Sequence, residues 1–501
     1  MDSSSTFIYL PHELLVHKIL VLCDPLDVAR VAVSCKKLYR IVYGDLDGET
    51  TRGGRGRGDR SLWRALYLAQ PLDDLRLCVN RIGIPKSRLR RNSLTTEEGD
   101  DGIDWEEELK RVIRARSIVV NPHLCKGEEE LQHILSTLLD LVEFVPPAYD
   151  LYQTGTAMGG SDEEEIDESV ELAKNLVWVP VISREFLDLV ERGLPTGITR
   201  GQYHIPPKSY WQNQTIQLHS QLHTLYGLTR KDLTKQARRE SRAYIYDMRR
   251  YREENEFGPL IEGGRYVNWV HLEKIHHVIS MHVVWEWVRE WVESDVLEKE
   301  DSVFEGMIEY MIYPLSMPFT QTVFAKRESG LLGIPPVEVS EEEEEEGERL
   351  PEDADWAGIE GDWAVFFCFY DHRQLMAYNQ SADIVNRLDT SIFEQEGMTE
   401  EFRKLEAKFH VTGLTNDVEH PGRPIISFEG VVNHPSNSTM HGRVRLTSDN
   451  HLKWAFDSSE TGIGAVWSSV GVQVGGVGSS FGVLGSWTTV FHDDEDPVGK
   501  P

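Results

Sequence analysis

"GVQVGGVGSSFGVLGSW", residues 471–487, carries two signatures, each of which would decide the fold. Gly476, Gly478 and Gly482 approximate a dinucleotide-binding loop, and Gly478-Ser479-Ser480-Phe481-Gly482 fits the G-x-S-x-G pattern of a nucleophile elbow. Both chemistries need a helix after the loop. Its N-terminus faces the pyrophosphate in the first case, and it carries the strained serine in the second. The segment after the loop, Val483 to Phe491, is β-branched, aromatic and interrupted by glycine, which is strand chemistry. After Ser480 only residues 481–501 remain, with one histidine, His492, so an acid and a base for a hydrolase have no room. The stretch reads as a glycine-rich turn joining two neighbouring strands. Trp467 and Trp487 flank it, placed to fill an interior or line a mouth.

The same texture extends back to residue 356. Strand-like runs cover 363–370, 408–414, 425–432, 439–447, 452–457, 465–474 and 481–491, with turn signals such as His434-Pro-Ser-Asn and Ser448-Asp-Asn between them. Leu452, Trp454 and Phe456 alternate with Lys453 and Asp457, the period of a half-buried strand. A helical interlude is expected over Thr399–Ala407. These runs predict an antiparallel β-barrel or sandwich over 356–498.

Before it lies a region of mainly helical patterning, 71–337. Residues 127–144 repeat Leu131, Ile134, Leu135, Leu138 and Leu141 at helical spacing and stop at Pro146-Pro147. Shorter helical patterns fall at 169–176 and 183–192. Residues 215–252 form a long amphipathic stretch rich in Arg and Lys. Residues 268–291 predict a strong helix. Its histidines, at 271, 276, 277 and 282, include no pair three or four residues apart, the spacing that puts two metal ligands on one helical face. No metal site is expected there, and Trp285, Trp287 and Trp291 read as core.

Residues 10–43 predict a compact helical hairpin. Leu15, Ile19 and Leu22 share a face, and Asp24-Pro25 restarts the chain as N-cap and first helical residue. Val28, Val31, Ala32 and Cys35 come next, with a break near Ser34. "LPHELLVHKILVLCDPLDVARVAVSCKKLYRIV" (10–42) is closed by "LWRAL" (62–66) after an Arg-Gly insertion. In order and spacing this segment resembles an F-box. The resemblance implies that Leu10, Pro11, Leu14, Ile19 and Leu26 dock on the Skp-type adaptor of a cullin ubiquitin ligase. Independently, a unit this small has more apolar residues than its own core can hide. At the other end, "DWAGIEGDWAVFFCFYDHRQLMAYN" (355–379) and residues 452–499 resemble a C-terminal module recurrent in fungal F-box proteins, which carries no activity over to this chain. Members usually continue past "DPVG" with a Pro-Phe-Trp stretch. This chain ends Gly499-Lys-Pro501, so closure of a barrel is open.

The net charge of −31 argues against nucleic acid and acidic membranes as partners. It concentrates at 162–168 and in the glutamate run 341–346, both of which read as linkers. The short Arg-Gly tract at 52–58 lacks aromatic residues and reads as a flexible insertion, not an RNA-binding segment. Neither a signal peptide nor a membrane span is expected. The five scattered cysteines, at 23, 35, 78, 125 and 368, fit a reducing cytoplasmic or nuclear compartment. There the sequons at Asn213, Asn379 and Asn437 carry no meaning.

The expected organisation is α+β and multidomain: an F-box at 1–70, a helical middle at 71–337 with an acidic linker near 161–168, a second acidic linker at 338–355, and the β domain. The expected function is a substrate receptor that binds the adaptor, and through it the cullin, by its N-terminus and a protein substrate by its β domain. No catalytic residues, cofactor or metal are expected. Trp363, Tyr370, Arg373, Trp467 and Trp487 are the candidate substrate contacts, because aromatic and Arg side chains dominate recognition surfaces. The alternatives are a barrel that binds a small hydrophobic ligand, with a regulatory or vestigial F-box, and an F-box scaffold outside ubiquitination.

Overall fold

The computed structural model describes residues 10–44, 59–80, 82, 84–86, 102–146, 174–175, 214–226, 228, 232, 234–293, 354–384, 386–432, 438–459, 464–475, 482–493 and 496–499. The acidic runs, the Arg-Gly tract, the helical patterns at 183–192 and the tip of the glycine-rich turn lie outside them, as do the side chains of Trp285, Trp287 and Trp291. The chain divides into two compact units. One comprises residues 1–80, 84–146 and 172–186; the other is chiefly 187–501.

In the first unit, α1 (His12–Leu14) runs on through a π-helical turn, Leu15–Ile19, and a 3-10 turn, Leu20–Leu22. Helix α2 (Pro25–Ala32) starts as expected: Asp24 accepts from the Leu26 amide at 2.9 Å and Pro25 occupies the first helical position. Helix α3 spans Lys36–Tyr43 and α4 spans Arg60–Leu68. Leu15, Val16, Leu20, Val28, Ala32, Leu38, Val42, Leu62, Trp63 and Leu66 are all buried. Helices α5 (Trp105–Val120) and α6 (Glu128–Glu143) complete the unit. Buried Glu108 is neutralised by Lys86 and Arg111, both at 3.3 Å. Asp73 accepts from the backbone amides of Lys174 and Asn175.

The second unit is helices against one sheet. The amphipathic stretch at 215–252 is two helices, α7 (Gln214–Tyr226) and α8 (Lys235–Ile245), and not one continuous element. The hairpin β1 (Leu260–Ile261) and β2 (Tyr266–Val267) leads into α9 (Trp269–Glu293). Seven antiparallel strands then run in sequence order: β3 (Gly361–Phe369), β4 (Glu401–Thr415), β5 (Ile425–Val432), β6 (Ser438–Leu446), β7 (Leu452–Ser459), β8 (Ala465–Gln473) and β9 (Val483–Thr489). Helix α10 (His372–Asn379) lies between β3 and β4.

Two expectations are corrected. Thr399–Ala407 is not helical. Glu401–Phe409 pairs with β3 over its whole length, and the rest of β4 pairs with β5. Pairing outweighs the helix preference of Glu, Arg, Lys, Leu and Ala, which is only a weak prior. The sheet is also neither a sandwich nor a closed barrel but one curled half-barrel. The rings of Trp363 on β3 and Trp454 on β7 lie 5.2 Å apart, although four strand spacings on a flat sheet would separate them by about 19 Å. No β3–β9 ladder closes the curl among the described residues, and α9 meets both edge strands.

At the glycine-rich turn, β8 and β9 are adjacent and antiparallel, and the Val474 amide donates to the Gly482 carbonyl across its neck. Gly482 has φ +74°, a conformation that glycine adopts without strain. Beyond β9, Gly499 exchanges two 3.0 Å backbone hydrogen bonds with Trp487. A side chain at Gly499 would collide with the Trp487 indole.

Candidate functional site

Two surfaces among the described residues expose large apolar or aromatic side chains. The first is on the N-terminal helices. Its core is closed by Trp63, whose indole N–H donates to the Val42 carbonyl at 2.8 Å across the Arg-Gly insertion. Outside that core stand Leu14, 45 % exposed, and Leu26, 42 % exposed. Pro11 is exposed too, and Leu10 and Ile19 are half-buried. Leu22, 82 % exposed, and Val33, 72 % exposed, belong to the same helices. Helical periodicity puts Leu22 on the buried stripe with Leu15, but the tightened turn at Leu20–Leu22 swings it outward. Leu77, Val120 and Leu124 of the same unit are exposed as well.

The second surface is the concave face of the sheet. Alternation sends Trp363, Phe367 and Phe369 of β3, Phe409 of β4, Phe428 of β5, Trp454 of β7, Trp467 of β8 and Trp487 of β9 to that face, as the strand registers require. One end is packed solid. Trp363, Phe409, Phe428 and Trp454 meet ring to ring at 5.2–6.2 Å, and Trp454 Nε1 donates to Gln473 Oε1 at 3.0 Å. At the other end Trp467 and Trp487 meet edge to face at 4.9 Å, and Phe369 of the opposite edge strand comes within 6.1 Å of Trp487. Phe367, Phe369, Trp467 and Trp487 are all only half-buried. Arg403 stands over the Phe369 ring at 5.3 Å.

The five candidate substrate contacts therefore separate. Trp467 and Trp487 come together at the half-open end. Trp363 belongs to the packed end, with its indole N–H on the Ile359 carbonyl at 2.8 Å. Tyr370, 4 % exposed, packs on Tyr246 and Phe393 on the other face. Arg373 is exposed in the first turn of α10. Phe367 and Phe369 were absent from the candidates, although the alternation within 363–370 put both on the same side as Trp363.

On the convex face, α8 and α9 bring a charged hub onto the sheet. Glu400 is bonded by Tyr246 Oη at 2.5 Å, His282 Nε2 at 2.7 Å and Arg242 Nε at 2.8 Å. Burial by itself raises the Glu400 carboxyl. The His282 hydrogen bond and the Arg242 charge overcome it and hold the group down at about 2. His282, Cys368 and Glu400 offer donor atoms within 4.8 Å of one another, as a metal would need. Arg242 already supplies the cation there, so the arrangement is a buried ion-pair hub that ties helices to sheet.

A cavity of about 540 Å³ opens beside β9, lined among others by Tyr251, Arg252, Phe257, Met376, His492 and Asp493. Phe257 and His492 stack at 3.9 Å, both with positive φ. Its walls carry charges of both signs, which selects no single ligand class.

The chain matches no family model, no curated protein and no solved structure. Among the described residues no helix is long and apolar enough to cross a membrane.

Proposed function

We propose that the chain is an F-box-type substrate receptor of a cullin ubiquitin ligase. The observation that carries this reading is the bared apolar set on the N-terminal helices, Leu14, Leu22, Leu26 and Val33, outside a core that is already closed. Leu14 and Leu26, with Pro11, belong to the adaptor-docking set that the F-box resemblance implies. The Skp-type adaptor covers them, and the cullin is recruited through the adaptor. The chain transfers no group itself. It supplies specificity and proximity, and its partner enzymes do the chemistry in the cytoplasm or nucleus. The protein substrate is read by the half-open aromatic end of the sheet, where Trp467 and Trp487 supply large, rigid contact area. The test is reconstitution of the full chain with purified adaptor and cullin. Co-elution of all three supports the reading. A chain that elutes alone beside an intact adaptor–cullin pair refutes it.

The same aromatic end favours a second reading, a small apolar ligand seated between β3 and β9. The buried Trp487 indole nitrogen has no hydrogen-bond partner and would be its polar handle. Quenching of tryptophan emission by such a ligand, abolished in Trp487→Phe, would separate this reading from the first.

A further inference from the structure

Strand β9 is an edge of the sheet. In an antiparallel ladder, alternate residues turn their N–H and C=O groups to opposite sides. Trp487 turns both of its groups away from β8, toward Gly499. Val483, Gly485 and Thr489 therefore turn theirs the same way, and none of them has a backbone partner on that side among the described residues. Helix α9 packs near β9 but supplies no backbone bond to it. An open strand edge is a template for another extended chain.

The tail shows how such a chain sits. Gly499 bridges to Trp487 in the antiparallel sense and lies against the indole, on the concave side. Val498, one residue back, takes the other side, where it is 4 % exposed and lines the cavity of about 540 Å³ beside β9. Open space remains there, bordered by Met248, Phe257 and Met376. Besides Val498 and the Gly499 bridge, the tail is held by the Asp496 carboxylate, which accepts from Thr489 Oγ1 and from the Asp493 amide. It is an imperfect strand. The register that pairs Gly499 with Trp487 sets Pro497 opposite Thr489, and proline has no N–H to give. The tail also covers the Trp487 ring while the buried Nε1 stays without a hydrogen-bond partner, which is costly.

We infer that the outer edge of β9 is a strand-addition site: the protein substrate enters as an extended segment antiparallel to β9 and takes the place of residues 497–499. The inference rests on the receptor reading above. The backbone edge, not the mixed charges of the cavity, selects the ligand class. The fitting segment has a glycine over Trp487, because a Cβ there collides with the indole. Just before the glycine it has an apolar side chain larger than valine for the cavity, and before that a residue other than proline.

The test measures binding of a labelled peptide to the full chain by fluorescence anisotropy. The probe is the tail sequence 495–501 carrying Pro497→Ala and Val498→Leu. Gly499→Leu in the chain pushes its own tail off Trp487 and should raise affinity for the probe at least about tenfold over wild type. N-methylation of the probe's glycine amide removes the bond to the Trp487 carbonyl and should abolish binding. Hydrogen exchange on the wild type needs no variant: the tail amides should exchange at least about tenfold faster than those of β8. A probe that binds neither chain, or binds as well when N-methylated, would overturn the proposal. So would tail exchange as slow as that of β8, which would make the tail a fixed part of the sheet. Adaptor binding is scored on the same samples. A chain that binds adaptor but no probe loses the strand site and keeps the receptor reading, and one that binds probe but no adaptor does the reverse.

Discussion

Glu400, just before β4, is bonded at once by Tyr246, Arg242 and His282 of the helical segments. Replacing it with Gln leaves Arg242 and His282 without their counter-charge in a buried setting, and the expected cost is about 3–5 kcal/mol. Chemical denaturation at neutral pH measures it. The pH dependence comes from the sign of the shift. The carboxyl is lowered from 4.5 to about 2, so its contribution is complete above pH 4.5 and is lost as pH falls toward 2. The wild type should lose stability over that window, and Glu400→Gln should lose distinctly less. Equal losses would show that Glu400 does not carry the acid sensitivity. Sequence could not have found this residue. "MTEEFRK" reads as surface charge, and the partners stand 118 and 158 residues away. Trp454 is the opposite case. The strand-like run around it announced a buried aromatic, and it is 1 % exposed, but the alternation does not hold at its neighbour: Lys453, placed on the wet side, is buried too and pairs with Glu256. Trp454→Ala should cost about 3–5 kcal/mol by the same measurement.

At the scale of elements, legibility tracked periodicity. All seven strands were visible because each alternates or is β-branched, and α6 and α9 because their apolar stripes are long. The first half of β4 was not, because Phe402-Arg-Lys-Leu-Glu-Ala407 is built from helix formers, and only its neighbours make it a strand. Ala407 sits where β4 pairs on both sides, with Trp363 and Val432. Ala407→Pro removes a ladder donor there, and a loss of about 3 kcal/mol or more is expected. A loss well under about 1 kcal/mol would contradict the pairing of Ala407 on both sides. The curl itself left no local signal, since it arises from contacts between β3, β7 and β9. The tail was equally silent. Gly499→Leu should push the tail off Trp487 and cost about 1–3 kcal/mol, with a shift in tryptophan emission. An unchanged emission spectrum would show that the tail does not cover that ring.

At the scale of the molecule, two units divide the work that the proposed function requires. One carries the bared apolar helices, and the other carries a curled sheet with a half-open aromatic end. The N-terminal pattern was legible as order and spacing, but which side chains stand outside was only partly so. Leu14 and Leu26 were named, while Leu22 and Val33 emerged from the packing. The central claim is that this exposed set is an adaptor-docking surface. The most direct measurement is the affinity of the full chain for the Skp-type adaptor, by titration calorimetry. It compares wild type with Leu14→Asp/Leu26→Asp and, as a control, with Leu124→Asp, at an equally exposed leucine of the same unit. A docking role predicts tight binding that the double change abolishes and the control leaves intact. A folded wild-type chain that does not bind the adaptor, or one that binds it equally well with both leucines changed, would contradict it.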